Sequence, residues 1–278
     1  MMTSTQDLSI GFVGLGQMNG AILQGLLTAH IKPDKLWAVA SSKENALKKT
    51  DEFGIRVYGP VDYAKELPTT DLLFLGVKPQ KMPEALNNFK KQMALESLKT
   101  GVTVISLAAG VSLASLESLL EIPVPMMRAM SNLGVSVGHG VTTLCGNTLV
   151  KKEHEKTVHT LFRKLGACEL LSESLFDAAT GLVGSSPAYI LLAIEALTDA
   201  AVQAGIPRAT ARKMVPQLFS GAALLVEQSG LHPAQLRDNI VTPAGTTGEG
   251  LAVLEATGFR SALAEALLAS ITKAKNLG

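Results

Sequence analysis

The chain has 278 residues, 47% of them hydrophobic and 18% charged, with a formal net charge of +1. That length suits two domains and that apolar content fills their cores, while a balanced charge with no dense Lys/Arg stripe excludes nucleic acid and anionic membrane as expected partners. Aromatics make up only 4%, so Ala, Leu and Val carry the core, as in closely packed helices and buried parallel strands. Met1–Ser9 is polar, with no basic stretch leading into an apolar one, so no secretory leader is expected. No run of about 18 predominantly apolar residues is expected to span a membrane. The uncharged stretch Ala178–Ile194 comes nearest, and Gly181, Gly184, Ser185, Ser186 and Pro187 are expected to break it. Cys145 and Cys168, the two cysteines of the chain, read as buried thiols of a reduced compartment, which predicts a cytoplasmic address.

Strand-like and helix-like segments alternate in the first half. Leu8–Val13 is apolar, and an amphipathic helix is expected from Asn19 to His30. Strand Lys35–Ala40, a polar helix around Lys43–Glu52 and a short strand at Ile55–Val57 follow. Asp71–Val77 and Thr103–Leu107 are continuous apolar runs, as expected of strands covered on both faces. Leu113–Leu120 reads as a helix and Pro125–Ala129 as a strand. Val141–Cys145, the helix Lys151–Leu165 and Cys168–Leu171 finish the pattern. This β-α-β alternation predicts a parallel, doubly wound sheet. From about Glu173 only helices are expected: Ala188–Ala204 opened by Pro187, Arg208–Ser229 with a kink at Pro216, His232–Ile240, Glu249–Ala256 and Ser261–Asn276. Several are apolar nearly all round, and such a helix must be covered on every side, which predicts a homodimer formed by this half. The expected boundary puts a cofactor domain at residues 1–172 and a helical domain at 173–278.

Gly14-Leu15-Gly16-Gln17-Met18-Asn19 lies between a predicted strand and a predicted helix. The first glycine permits a tight turn, the second lets backbone amides approach a pyrophosphate, and the helix N-terminus supplies a positive dipole end. Asn19 departs from the fingerprint at its third glycine, and Gly20 beside it is expected to relieve the helix–strand crowding. After the second strand, Ala40-Ser41-Ser42-Lys43 offers hydroxyls and a cation where an NAD site would place a carboxylate. This favours NADP, with NAD as the alternative. Ser41 and Ser42 also suit the N-cap of the next helix. Lys78, just beyond a buried strand, falls where the cofactor should lie. His154 and His159 stand on a charged helix without a third ligand, so no metal site is expected, and Met126, Met127 and Met130 read as core packing.

Further motifs occur in order: Val77-Lys78-Pro79-Gln80, Ala108-Ala109-Gly110-Val111, Gly184-Ser185-Ser186-Pro187-Ala188-Tyr189, Thr242-Pro243-Ala244-Gly245-Thr246-Thr247, and Leu254-Glu255 followed by Gly258-Phe259-Arg260. With the glycine loop, this series resembles the pyrroline-5-carboxylate reductase family from Ile10 to the last helix. The resemblance implies a Rossmann-like α/β domain with a doubly wound, mostly parallel sheet, joined to a C-terminal all-helical dimerisation domain. It implies dimers that assemble into larger rings. It also implies hydride transfer from NADPH to the C=N carbon of 1-pyrroline-5-carboxylate, giving proline. Carried over, Val13, Gly14, Leu15, Gly16, Gln17 and Met18 line the pyrophosphate and Ser42 reaches the 2′-phosphate. Val77, Lys78 and Pro79, with Ala108 and Ala109, flank the nicotinamide half. Glu173, Asn239, Thr246 and Thr247 surround the substrate.

One segment carries its own physics. Gly245-Thr246-Thr247 opens a predicted helix, so its free amides would seat a carboxylate, and the Thr247 hydroxyl would bond the imine nitrogen as it gains electron density. The plainer reading is that Thr246 and Thr247 cap the helix.

The family pattern is broken at four places. Met130-Ser131-Asn132-Leu133-Gly134 stands where the family has Met-Pro-Asn-Thr-Pro, Ser186 where it has Gly-Ser-Gly-Pro, Ala244 where it has Pro-Gly-Gly, and Asn19 where it has a small residue. Losing two prolines is expected to loosen the Ser131–Gly134 loop, and Ser186 and Ala244 add bulk beside the substrate. Two other readings stay open: a paralogue reducing another small cyclic imine, and a catalytically weak NADP-binding protein with a regulatory role. A 3-hydroxyacid dehydrogenase fits less well, because no lysine occurs between Lys164 and Lys213.

Overall fold

The computed structural model of the chain describes residues 5–60, 69–77, 79–84, 86–87 and 101–276. These divide into two compact units, one running to Gly184 and taking back the chain from Ile271, the other Ser185–Ser270.

The first unit is built on one eight-stranded sheet: β1 (Ile10–Val13), β2 (Leu36–Val39), β3 (Arg56–Tyr58), β4 (Leu72–Leu75), β5 (Thr103–Ser106), β6 (Met126–Ser131), β7 (Gly140–Gly146) and β8 (Gly166–Leu170). Their spatial order is β3-β2-β1-β4-β5-β6-β7-β8. The first six are mutually parallel, so the chain starts in the middle, runs outward through β2 and β3, and returns to β4 on the other side of β1. β4 and β5 are buried along their whole length, β4 as an unbroken apolar run and β5 with the small hydroxyls of Thr103 and Ser106 enclosed at its two ends. Alternate side chains feed two cores. Ile10, Phe12, Leu72 and Phe74 join α1 (Gln17–Thr28) and its Ile22, Leu23 and Leu26. Leu73, Leu75 and Val104 face Leu116 and Leu120 of α3 (Leu113–Leu120). Phe12 stacks on Phe74 at 5.1 Å, and Phe162 of α4 (Lys152–Arg163) meets Phe74 edge-on at 5.9 Å. The polar helix α2 (Lys43–Phe53) lies between β2 and β3 in sequence. Met126, Met127 and Met130 are core residues, and Cys145 and Cys168 are buried free thiols. Burial pushes these thiols up to about 11 and about 12 respectively.

One departure from uniform parallel order follows from chain length. β7 runs antiparallel to β6, with Ser131 opposite Thr142. The connection, residues 132–139, is too short for a crossover helix, and only an antiparallel return can use it.

A second departure concerns the apolar stretch after β8. Glu173–Gln203 is helical throughout, 31 residues containing an 18-residue stretch of mean hydropathy 1.4, long and apolar enough by composition alone to cross a membrane. The expected break does not occur. After α5 (Phe176–Ala179), Thr180–Ser185 widens into π-helix, which carries Gly181 and Gly184 without ending the run. Pro187 then sits in the first turn of α6 (Ser186–Gln203), where no intrahelical amide is needed.

The second unit consists of α6, α7 (Arg208–Ser229), α8 (Pro233–Ile240), α9 (Thr246–Ala256) and most of α10 (Phe259–Lys275). α7 runs through Pro216 without interruption. Tyr189 ties α6 to α10, its hydroxyl donating to Ala266 O and meeting Ser270 Oγ. Among the described residues of this unit only Thr198, Ala211 and Val215 are buried. Leu191, Leu192, Leu218 and Val253 are more than half exposed.

Candidate functional site

The order reverses between β1 and β4, and in an open parallel sheet the crevice at such a point is where ligands bind. Gly14 leaves β1 at φ +82°, a conformation that strains any side chain, with its amide donating to Val39 O at 3.0 Å. Gly16 is the N-cap of α1 and offers no side chain; Gln17 and Met18 form the first turn, which holds no acidic residue. Among the described residues the Leu15 and Gly16 amides have no acceptor. The turn therefore presents unpaired N–H groups and a positive dipole end to one spot, a seat for a pyrophosphate. A chain that must hold an NADP dinucleotide needs this combination, and the residues present fit it.

The other expected cofactor residues end neighbouring parallel strands on the same sheet edge. Ser42 caps α2, accepting from the Asn45 backbone amide at 3.1 Å, so the capping reading holds for Ser42; Ser41 Oγ accepts from the Asn45 side-chain Nδ2 at 3.1 Å and caps no backbone amide. No carboxylate follows β2 before Glu44, whose charge is paired with Lys48 at 2.7 Å. Val77 follows β4 and packs on the core, and Pro79 opens a short 3-10 turn. Lys78 lies outside the described residues. Ala108 is buried beyond β5, its amide donating to Ser106 Oγ at 3.3 Å, and Ala109 is partly buried beside it.

Asn19 is fully buried. Its Nδ2 donates to Gly14 O at 2.6 Å and reaches Val13 O at 3.4 Å. The space for it comes from Gly76, where a Cβ would collide with the Asn19 amide. Gly20, expected to relieve the crowding, has only an ordinary contact with Phe53, 3.7 Å from where a Cβ would stand. The relief is across the crevice, on β4's exit.

The loop after β6 is not loosened by its lost prolines. Ser131 and Thr142 share a buried hydroxyl bond of 2.8 Å. Asn132 Oδ1 accepts from the Gly134 amide at 3.1 Å and caps the 3-10 segment Leu133–Val137, while its Nδ2 donates to Val183 O at 3.3 Å. Ser136 Oγ closes on Leu133 O at 2.8 Å. Hydrogen bonds replace ring constraints, and one of them needs the Gly134 N–H that a proline would lack.

Sequence reasoning missed Arg128. It is 6% exposed, within a strand whose other residues are all buried, and a lone cation in such a run is itself the signal that a partner must exist. The partner is Glu173, whose Oε1 accepts from Arg128 at 2.7 Å and from the Leu113 amide at 2.7 Å. The guanidinium also lies 4.7 Å from the Phe176 ring centroid. Arg128, Glu173 and Asp177, with Gly110, Ser112 and Lys275, line a surface cleft. His159, expected on the surface, instead bonds Cys168 O through Nε2 at 3.0 Å and is half-buried.

In the second unit, Gly245 is the N-cap of α9, with Thr246 and Thr247 in its first turn and no side-chain cap bond. The threonines thus do not cap the helix, and neither hydroxyl has a partner among the described residues. Ala244 stands at φ +57°. Asn239 is exposed near the end of α8.

The sheet order and the glycine turn define a Rossmann-like protein of the dinucleotide-binding class. The family description "NADP oxidoreductase coenzyme F420-dependent" matches residues 9–110, and "Pyrroline-5-carboxylate reductase dimerisation" matches residues 173–277. The chain is 36% identical to pyrroline-5-carboxylate reductase of Escherichia coli over 98% of both chains, and 35% identical to that of Methanosarcina acetivorans over 98% of this chain and 99% of that one. It is similar to the crystal structure of Plasmodium falciparum pyrroline carboxylate reductase with NADP bound, at a TM-score of 0.85 and 30% identity, covering 99% of this chain and 100% of that one. The chain belongs to the pyrroline-5-carboxylate reductase family.

Proposed function

We propose that this chain reduces 1-pyrroline-5-carboxylate to proline with NADPH, as a cytoplasmic homodimer. The observation that carries it is that the chain holds both an anion-ready glycine turn, in the first unit, and an uncapped Gly245-Thr246-Thr247 helix start, in the second. Residues 1–172 form the cofactor domain and 173–278 the dimerisation and substrate domain. Val13 to Met18 hold the pyrophosphate, Ser41 and Ser42 the 2′-phosphate, and Val77, Lys78, Pro79, Ala108 and Ala109 the nicotinamide half. NADH is the poorer donor. NADPH, when bound, supplies the hydride that adds to the C=N carbon. The Thr246 and Thr247 amides bind the substrate carboxylate, Thr247 Oγ1 donates to the ring nitrogen, and Asn239 and Glu173 border the ring. The proton that completes the amine comes from water, so no strong side-chain acid is required. The apolar faces of α6, α7 and α9 are covered by the partner copy, and not by lipid. The dimers assemble further into rings.

The test is loss of NADPH absorbance with pyrroline-5-carboxylate, alongside NADH and a six-membered cyclic imine acid. Turnover that Thr247→Ala lowers about a hundredfold and Thr247→Ser largely keeps is the expected result. NADPH binding without turnover on any imine would sink the catalytic reading.

A further inference from the structure

The glycine turn of this chain carries a part that a three-glycine fingerprint does not have. Asn19, fully buried, directs Nδ2 at the carbonyl of the first glycine, 2.6 Å away. That carbonyl belongs to the Gly14–Leu15 peptide. In a trans peptide the C=O and N–H point in opposite directions. Holding the Gly14 carbonyl inward against Asn19 therefore turns the Leu15 N–H outward, toward the mouth of the crevice, where it has no acceptor among the described residues.

The amide is costly where it is. Its Oδ1 is buried with no partner among the described residues, which penalises the fold. Fold stability alone would be served as well by a small apolar residue. The geometry is also exclusive: Asn19 fits only because Gly76 has no Cβ to collide with it.

We propose that Asn19 is a positioning residue for the dinucleotide. It locks the Gly14–Leu15 peptide in the orientation that binds the pyrophosphate, so the free chain already has the bound-state turn. This rests on the reading of the turn as the pyrophosphate seat. The ordering that a flexible glycine turn would undergo on binding is made in advance, and affinity gains by that amount.

The test compares two ligands on the full chain by titration calorimetry: NADPH, which has a pyrophosphate, and 2′-AMP, which has the adenosine and 2′-phosphate but none. Asn19→Ala is expected to weaken NADPH about tenfold, the worth of one hydrogen bond to the turn, and to leave 2′-AMP unchanged. The melting temperature of the free chain should hold or rise, because the orphan carbonyl goes with the side chain. Gly76→Ala gives a second route. Its methyl displaces the amide, so it too should weaken NADPH selectively, and the double variant Asn19→Gly/Gly76→Ala should bind as Asn19→Gly does alone. Unchanged NADPH affinity in Asn19→Ala overturns the proposal. So does equal weakening of both ligands with a lowered melting temperature, which marks a merely structural residue. If the unaltered chain binds 2′-AMP but not NADPH, the pyrophosphate seat itself is misread and the proposal falls with it.

Discussion

Arg128 and Glu173, 45 residues apart in the chain, meet at 2.7 Å, and the same Glu173 oxygen holds the first amide of α3. One carboxylate thus joins a central strand, the start of a helix and the segment leaving β8. Arg128 is nearly enclosed, whereas Glu173 keeps 36% of its side chain exposed. Removing the carboxylate leaves the enclosed cation uncompensated. Glu173→Gln should cost about 2 kcal/mol, on the low side for breaking a buried pair, because water screens the exposed partner. Urea denaturation with an unchanged slope would show it. A midpoint equal to that of the unaltered chain would mean that water already does the work of the pair.

That relationship also marks the limit of the sequence. β4 was legible because a strand covered on both faces needs an unbroken apolar run, β5 because Val104 and Ile105 are flanked only by small hydroxyl residues, and Arg208–Ser229 because Pro207 precedes it and Gly230 closes it. The glycine turn and helix start at Gly14–Met18 were legible because turn, dipole and spacing are all local. Pairings between distant residues were not. Asn19 reads as an anomaly until Gly76 is seen opposite it, and nothing in the sequence joins Glu173 to Arg128, 45 residues away. The antiparallel β7 was available in principle from the short connection before it. The unbroken helix through Gly181 and Gly184 was not, since a π-helical stretch has no compositional mark that separates it from a break.

Cys145 and Cys168 make the fold sensitive to alkali. Their folded values of about 11 and about 12 lie above the ordinary 9.0 because burial disfavours the thiolate. Between these values the folded chain keeps protons that the unfolded chain releases. The contribution is therefore fully present below pH 9.0 and is lost as pH rises toward 11 for Cys145 and 12 for Cys168. Within its window each thiol should subtract about 1.4 kcal/mol per pH unit. Cys168→Ala should show a shallower fall than the unaltered chain in parallel denaturation series. Identical slopes would mean that the thiol is not buried in solution.

Ala244 at φ +57° carries strain that a glycine would not. Left-handed backbone costs an L-residue about 1–2 kcal/mol, and glycine returns part of that gain through its freer unfolded state. Ala244→Gly should therefore raise stability by about 0.5–1 kcal/mol, read from the denaturation midpoint. It also restores the glycine pair of the family at the start of α9. A stability loss would place Ala244 in another conformation.

The exposed apolar residues of the second unit test the proposed dimer. Leu191 is 65% exposed on α6. Covering one leucine is worth about 1.5–3 kcal/mol, so Leu191→Lys should raise the dimer dissociation constant at least about tenfold. Sedimentation across a dilution series measures it. An unaltered chain that sediments as a monomer at every concentration would overturn the assembly.

Ser131 and Thr142 supply the last test, of the loop that lacks its family's prolines. Both side chains are buried, and each hydroxyl has the other as its partner at 2.8 Å. Ser131→Ala leaves the Thr142 hydroxyl enclosed and unpaired, which should cost about 1–3 kcal/mol. Removing both hydroxyls with Ser131→Ala/Thr142→Val should recover most of the loss, since an apolar pair leaves no polar group unpaired. Recovery is the informative outcome. It would show that the bond satisfies two buried groups and adds little beyond that, so the turn at Leu133–Val137 is held chiefly by the Asn132 cap. No recovery would mean that the hydroxyl pair itself fixes the strand end, and then the double variant should also lose turnover of the imine.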